Sequence, residues 1–115
     1  MAQKMRVYIS IPITGKCYDE QRQKAEVAKN WLDENGMTGV SPFENGMDTN
    51  KPRHQHMQRD IEMLLDADAI MPMQLWQSSK GCKLEMEIAK QTGKVILLVP
   101  WALEIKDNIN DQLPF

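Results

Sequence analysis

The feature that most constrains this chain is its alternation of short apolar runs with longer segments of helical period. Residues 5–11 (Met5-Arg6-Val7-Tyr8-Ile9-Ser10-Ile11) form an apolar run ended by Pro12 and by Thr14-Gly15. Residues 19–34 then predict a helix: Ala25, Ala28 and Leu32 recur at i, i+3, i+7 with Trp31 beside them. Asp19 stands as its N-cap and Asn35-Gly36 as its C-cap. Residues 38–42 read as a second strand. Residues 43–53, rich in Asn, Gly, Asp and Pro, read as a long loop of the kind that often carries function. Residues 55–65 predict a second helix with Met57, Ile61, Leu64 and Leu65 as its buried stripe.

Residues 69–76 predict a third strand. Pro72 within it signals a strand start, a bulge or an edge, because it has no N–H for the ladder. A third helix follows over 81–92, then Gly93 as its cap, then a fourth strand over 94–100. The order β-α-β-α-β-α-β in 115 residues predicts one α/β domain over residues 1–115. Its sheet should be parallel, with right-handed crossovers and helices on both faces. The strands read as continuous apolar runs, as buried parallel strands do. Residues 101–115 show no clear period, and Leu113-Pro114-Phe115 is expected to pack on the sheet or on a partner.

Charge and cysteine content narrow the class of partner. A net charge of −2 and a pI of about 5.6 exclude a basic surface that wraps a nucleic-acid polymer. They leave room for a small anionic ligand held by a few local donors. Cys17 and Cys82 form no CxxC pair and no metal spacing with His54 and His56, so two free thiols in a reducing cytoplasm are expected, with no bound metal. The first six residues are short and polar and run into a strand, so no signal peptide is expected. No apolar run reaches the ~18 residues a membrane span needs. The nine methionines are explained as flexible core filler.

In open α/β sheets ligands bind outside the carboxyl ends of the strands. Residues 10–16, 41–44, 76–81 and 100 onward meet there. Asp60 falls beside Leu64 and Met57 on its helical wheel, at the border of the buried face. It is either a boundary aspartate paired with Arg59, Arg53 or a lysine, or a carboxylate facing the cleft. Glu85 lies beside Ile88 and Ala89 at the edge of its helix's inner face, again either solvated or functional. Glu87 reads as a solvated charge near Lys83 or Lys90. Tyr8, inside an apolar strand, is core or orients a carboxylate. Trp76, at a strand end, is core or stacks on a flat ligand. His54 and His56 read as surface residues. Thr14-Gly15-Lys16 offers backbone N–H groups and a lysine to a phosphate, although it matches neither phosphate-loop pattern. Ser78, Ser79 and Gly81, at a helix N-terminus, offer donors to the same anion.

Several motifs in order resemble a known family. They are Tyr8-Ile9-Ser10-Ile11-Pro12, Ser41-Pro42, Asp60-Ile61 with Ala67-Asp68-Ala69, Ser79-x-Gly81-x-x-x-Glu85-x-x-x-Ala89, and Gly93-Lys94 before an apolar strand. Together, over about residues 5–100, they are similar to the nucleoside 2-deoxyribosyltransferase superfamily. That superfamily includes deoxynucleoside 5′-monophosphate N-glycosidases and small phage and bacterial domains of the DUF4406 type. The resemblance implies a flavodoxin-like three-layer sandwich with a four- to five-stranded parallel sheet.

It also implies cleavage or transfer at the N-glycosidic bond of a (deoxy)nucleoside or its 5′-monophosphate, with no cofactor. Glu85 matches the nucleophile that forms a covalent glycosyl-enzyme. Asp60 matches the aspartate that binds the base and helps protonate it, and Tyr8 matches a tyrosine beside the nucleophile. From their place at the strand ends and at the α-helix start, Ser10, Pro12, Thr14, Gly15, Lys16, Ser41, Trp76, Ser79 and Gly81 are expected to bind the substrate. Ser79 stands where transferases of free nucleosides carry an aspartate and where the monophosphate hydrolases carry a serine, which favours a nucleotide. Against this, the 14–18 loop lacks the arginine those hydrolases use, and Lys16 and Arg22 are imperfect substitutes. Family members are at least dimers, with Asn108 and Asn110 as candidates to complete a neighbour's site. The alternative is a non-catalytic module that binds a nucleotide or an ADP-ribose-type ligand.

Overall fold

The computed structural model describes residues 4–45 and 53–104, without the side chains of residues 45 and 53–55. The chain runs β1 (Arg6–Ser10), α1 (Tyr18–Glu34), β2 (Thr38–Val40), α2 (Arg53–Leu65), β3 (Ala69–Pro72), α3 (Lys80–Gln91), β4 (Val95–Ile96) and α4 (Pro100–Glu104). Short 3₁₀ turns, Pro42–Asn45 and Trp76–Ser78, follow β2 and β3. All strand pairs are parallel, and the sheet order is β2-β1-β3-β4. This is the α/β arrangement expected, in its flavodoxin-like form.

The period of two along β1 divides the core. Val7, Ile9 and Ile11 face α1 and α4, packing with Ala25, Ala28 and Leu32. Tyr8 faces the other way, into a cluster with Leu64 of α2 and with Met86 and Ala89 of α3. Helices therefore cover both faces, as a buried parallel sheet requires. Gly36 and Gly93, both at positive φ, close α1 and α3 where a side chain would be strained. Gly39 serves packing instead: a Cβ there would stand 3.0 Å from Leu32 Cδ1 and 3.2 Å from the Lys29 backbone, so α1 lies close on β2.

Several boundaries differ from the sequence expectation. The N-cap of α1 is Cys17, which makes no side-chain cap bond, and Asp19 sits inside the first turn beside Arg22. β2 stops at Val40 because Ser41 opens a turn closed by Glu44, whose carboxylate accepts the Ser41 N–H at 2.7 Å. β3 ends at Pro72, not at residue 76, and it is an interior strand rather than an edge. Leu97 N–H donates to Ile70 C=O, so Ile70 faces β4, and Pro72, two residues on, faces the same neighbour. Lacking an N–H, it cannot continue that ladder, and β4 ends at Ile96.

Among the described residues β4 is an edge strand, like β2, and it is exposed at Val95 (49%) and Ile96 (37%), contrary to a buried fourth strand. Leu65, counted in the buried stripe of α2, is 46% exposed, while Leu64 is fully buried. Met57 and Ile61 are half-buried. α4 had no sequence signal strong enough to place it. The expected packing of Leu113-Pro114-Phe115 and most of the 43–53 loop lie outside the described residues. Among the described residues no helix is long and apolar enough to cross a membrane.

Candidate active site

The strand order places a topological switch between β1 and β3: the chain leaves β1 for β2 on one side and returns to β3 on the other. The C-terminal end of β1 therefore opens a crevice beside β3. Into it, from the same face of β1, come Tyr8 and Ser10. From the opposite wall comes α3. Its buried residues, Cys82, Glu85, Met86 and Ala89, follow the i, i+3, i+4, i+7 period of a core stripe. Glu85 thus occupies a position where an apolar residue would serve packing, and it is 4% exposed.

The sheet satisfies this buried carboxylate. Tyr8 Oη donates to Glu85 Oε2 at 2.6 Å, and Ser10 Oγ donates to Oε1 at 2.7 Å. Both distances fall in the range of hydroxyl-to-carboxylate bonds. Asp60, 7% exposed on α2, adds a second carboxylate whose charge is felt by Glu85, Tyr8 and Cys82. Burial pushes the Glu85 carboxyl up to about 7; the hydroxyls of Tyr8 and Ser10 pull it down, and Asp60 adds to the rise. Tyr8 is raised well above its usual value, first by burial and then by Glu85 and Asp60, so it stays a proton donor. Burial pushes the Cys82 thiol up to about 11, against the pull of Ser10 and Ser79 beside it.

The remaining expected site residues divide into two groups. Ser79 is the N-cap of α3, its Oγ accepting the Cys82 N–H at 3.2 Å, and Gly81 sits in the first turn of the same helix. Trp76 is half-buried and packs against the cluster that contains Tyr8. Pro12 is buried, and its C=O accepts from Gln21 Nε2 at 2.6 Å. By contrast, Thr14, Gly15 and Lys16 lie in an exposed turn after β1, closed by Lys16 N–H to Ile13 C=O. Ser41 is buried within the Glu44 turn, which Lys29 Nζ also grips at 3.1 Å. Glu87 is exposed and accepts from Gln91. His56 is half-buried on α2. The His54 side chain, Asn108 and Asn110 lie outside the described residues.

Sequence reasoning missed Gln21 and Cys82. Gln21 falls at i−4 from Ala25, on the apolar face of α1, and that spacing is a signal for a buried amide. Cys82 falls at i−4 from Met86 and i−7 from Ala89, and that spacing is a signal for a buried thiol on the inner stripe of α3. Among the described residues, no group of three His, Cys, Asp or Glu side chains could hold a metal ion.

A buried, doubly hydrogen-bonded carboxylate with a second carboxylate near it suits nucleophilic or proton-transfer work at a bond in the crevice. Comparison with known proteins gives the fold a relative. A structure described as a 2-desoxiribosyltransferase from Leishmania mexicana superposes with a TM-score of 0.63 at 20% identity, over 82% of this chain. This chain spans 63% of that structure's length. The two share the flavodoxin-like α/β fold, which is the fold implied by the likeness to nucleoside 2-deoxyribosyltransferases. No curated protein matches the sequence. The model of the family described as "Domain of unknown function (DUF4406)" matches residues 5–98. With its sheet and all of α3 inside that span, the chain belongs to the DUF4406 family.

Proposed function

We propose that this protein cleaves or transfers at the N-glycosidic bond of a (deoxy)nucleoside or its 5′-monophosphate, through a covalent glycosyl-Glu85 intermediate. The observation that carries this reading is the burial of Glu85 with a hydroxyl donor on each carboxylate oxygen. A structural carboxylate has little reason to sit in the core stripe of α3, whereas a nucleophile gains from a dry, fixed setting.

In the first step a Glu85 oxygen attacks C1′ of the sugar. The C1′–N bond breaks with its electron pair going to the base, and the base takes a proton delivered by Asp60. Tyr8 holds the second Glu85 oxygen throughout. In the second step water or an acceptor base attacks C1′ and gives its proton to the Asp60 carboxylate, the ester bond to Glu85 breaks with its electron pair returning to Glu85, and both carboxyl groups are restored. The N-terminus of α3, with Ser79 and Gly81, receives the 5′-phosphate, and Thr14, Gly15 and Lys16 close over it. Trp76 stacks on the base, and Ser41 and Pro12 line the same crevice. The enzyme works as a homodimer or larger homo-oligomer.

The test is a panel of deoxynucleosides and their 5′-monophosphates incubated with the protein, with free base followed by chromatography. Base release that is lost in a folded Glu85→Ala variant supports the reading. Full activity in that variant would overturn it. Saturable binding without any product over hours would identify a ligand-binding module instead.

A further inference from the structure

We propose that Ser10 is a positioning residue for Glu85: its hydroxyl, with that of Tyr8, sets the carboxylate's rotation and presents Oε1 as the attacking oxygen. This rests on the reading of Glu85 as nucleophile and assigns Ser10 to the nucleophile rather than to the substrate. Three observations carry it.

First, Ser10 is 1% exposed and its Oγ lies 2.7 Å from Glu85 Oε1, so its donor proton is committed to the carboxylate. Second, the terminal torsion of a glutamate is broad and roughly two-fold. One donor would leave the group free to swing. Donors on both oxygens, Tyr8 on Oε2 and Ser10 on Oε1, close that freedom. Third, Tyr8 and Ser10 are same-face neighbours on β1, about 6.6 Å apart along the strand. Ser10 is the one nearer the carboxyl end, where ligands enter such sheets. Its partner Oε1 is therefore the outer oxygen and Oε2 the inner one. Each carboxylate oxygen has two acceptor sites, so Oε1 keeps one for attack after accepting from Ser10.

The hydroxyl also favours the charged carboxylate over the neutral acid, since it donates to the ionised form. The other groups that act on Glu85 are Tyr8 from β1 and Asp60 from α2. The Cys82 thiol of α3 lies in the same cluster. Tyr8 and Cys82 both stay protonated through neutral pH, which leaves Asp60 as the group whose charge must be accounted for.

The experiment compares the parent with Ser10→Ala, using protein carrying carboxyl-¹³C glutamate. The Glu85 resonance is identified by its loss in Glu85→Gln and titrated by NMR. In parallel, kcat and KM for a deoxynucleoside 5′-monophosphate are measured against pH. In Ser10→Ala the Glu85 midpoint should rise by about one pH unit, the size expected for losing a hydrogen bond to a charged group. The acid limb of kcat/KM should move with it, and kcat should fall about tenfold while KM stays within about twofold. Ser10→Thr, which keeps the hydroxyl, should restore the parental midpoint. An unchanged midpoint and acid limb in folded Ser10→Ala, beside an active parent, would overturn the role of Ser10 alone. A parent that releases no base would overturn the glycosidic reading and the positioning role together.

Discussion

Tyr8 Oη lies 2.6 Å from Glu85 Oε2, joining a strand and a helix 77 residues apart in sequence. Both groups are buried, so neither can exchange this bond for one to water. Tyr8→Phe removes the donor and leaves the ring. The Glu85 carboxylate then loses one of its two hydroxyl partners, at a cost of about 1–3 kcal/mol wherever it is charged. The expected result is a loss of stability that is larger at pH 8 than at pH 5, measured by thermal melts at both values. Base release should fall by about tenfold to a hundredfold.

Glu85 itself sets a pH dependence of stability. Its carboxyl is raised from 4.5 to about 7 in the folded protein. Between these values the folded state holds a proton that the unfolded state has released. Stability is therefore greatest below about pH 4.5 as far as this group is concerned, and it is lost as pH rises through about 7. The full effect is on the order of 3 kcal/mol, at about 1.36 kcal/mol per pH unit. Glu85→Gln removes the titration. Its melting temperature should match the parent's near pH 5 and exceed it at pH 8.

The same carboxyl must be ionised to attack. Under the proposed function, kcat/KM should rise with pH through about 7 on its acid side, and this limb should belong to Glu85. A flat profile from pH 5 to pH 8 would contradict that assignment.

The two cysteines differ in reach. Cys17 is exposed, whereas Cys82 is buried with its thiol pushed up to about 11. A thiol reagent at pH 8 should therefore modify Cys17 alone in the native protein and both in denaturant. Activity on a nucleotide should survive native modification. Rapid reaction of Cys82 would show that α3 separates from β1 far more readily than its packing implies.

Gly39 tests the packing that supports β2. An added methyl would meet Leu32 and the Lys29 backbone, and backbone cannot swing aside. Gly39→Ala should cost about 1–3 kcal/mol in chemical denaturation. The pH dependence of Glu85 should not change, because the contact lies on the α1 face of the sheet, opposite α3.

Much of this architecture was legible in the residues, and the failures have physical causes. Ala25, Ala28 and Leu32 placed the buried face of α1 because a helical period survives any tertiary detail. Glu85 was found at the edge of its helix's inner face, yet it lies within the buried stripe. Spacing alone cannot tell a buried carboxylate from a bordering one; its two hydroxyl donors sit on a distant strand. Leu65 and β4 are apolar and so read as buried, but α2 ends at Leu65 and no strand among the described residues pairs with the outer edge of β4. The role of Ser10 was hidden for the same reason as that of Glu85: the bond between them spans 75 residues.

The central claim is that Glu85 becomes covalently attached to the sugar. The most direct measurement is intact-protein mass spectrometry after rapid acid quenching of the protein mixed with its deoxynucleotide substrate, followed by peptide mapping. The account predicts a protein species heavier by the deoxyribosyl group and any phosphate it carries, mapped to Glu85 and absent in Glu85→Gln. Base release at full rate by Glu85→Gln, or an adduct mapped to another residue, would contradict it.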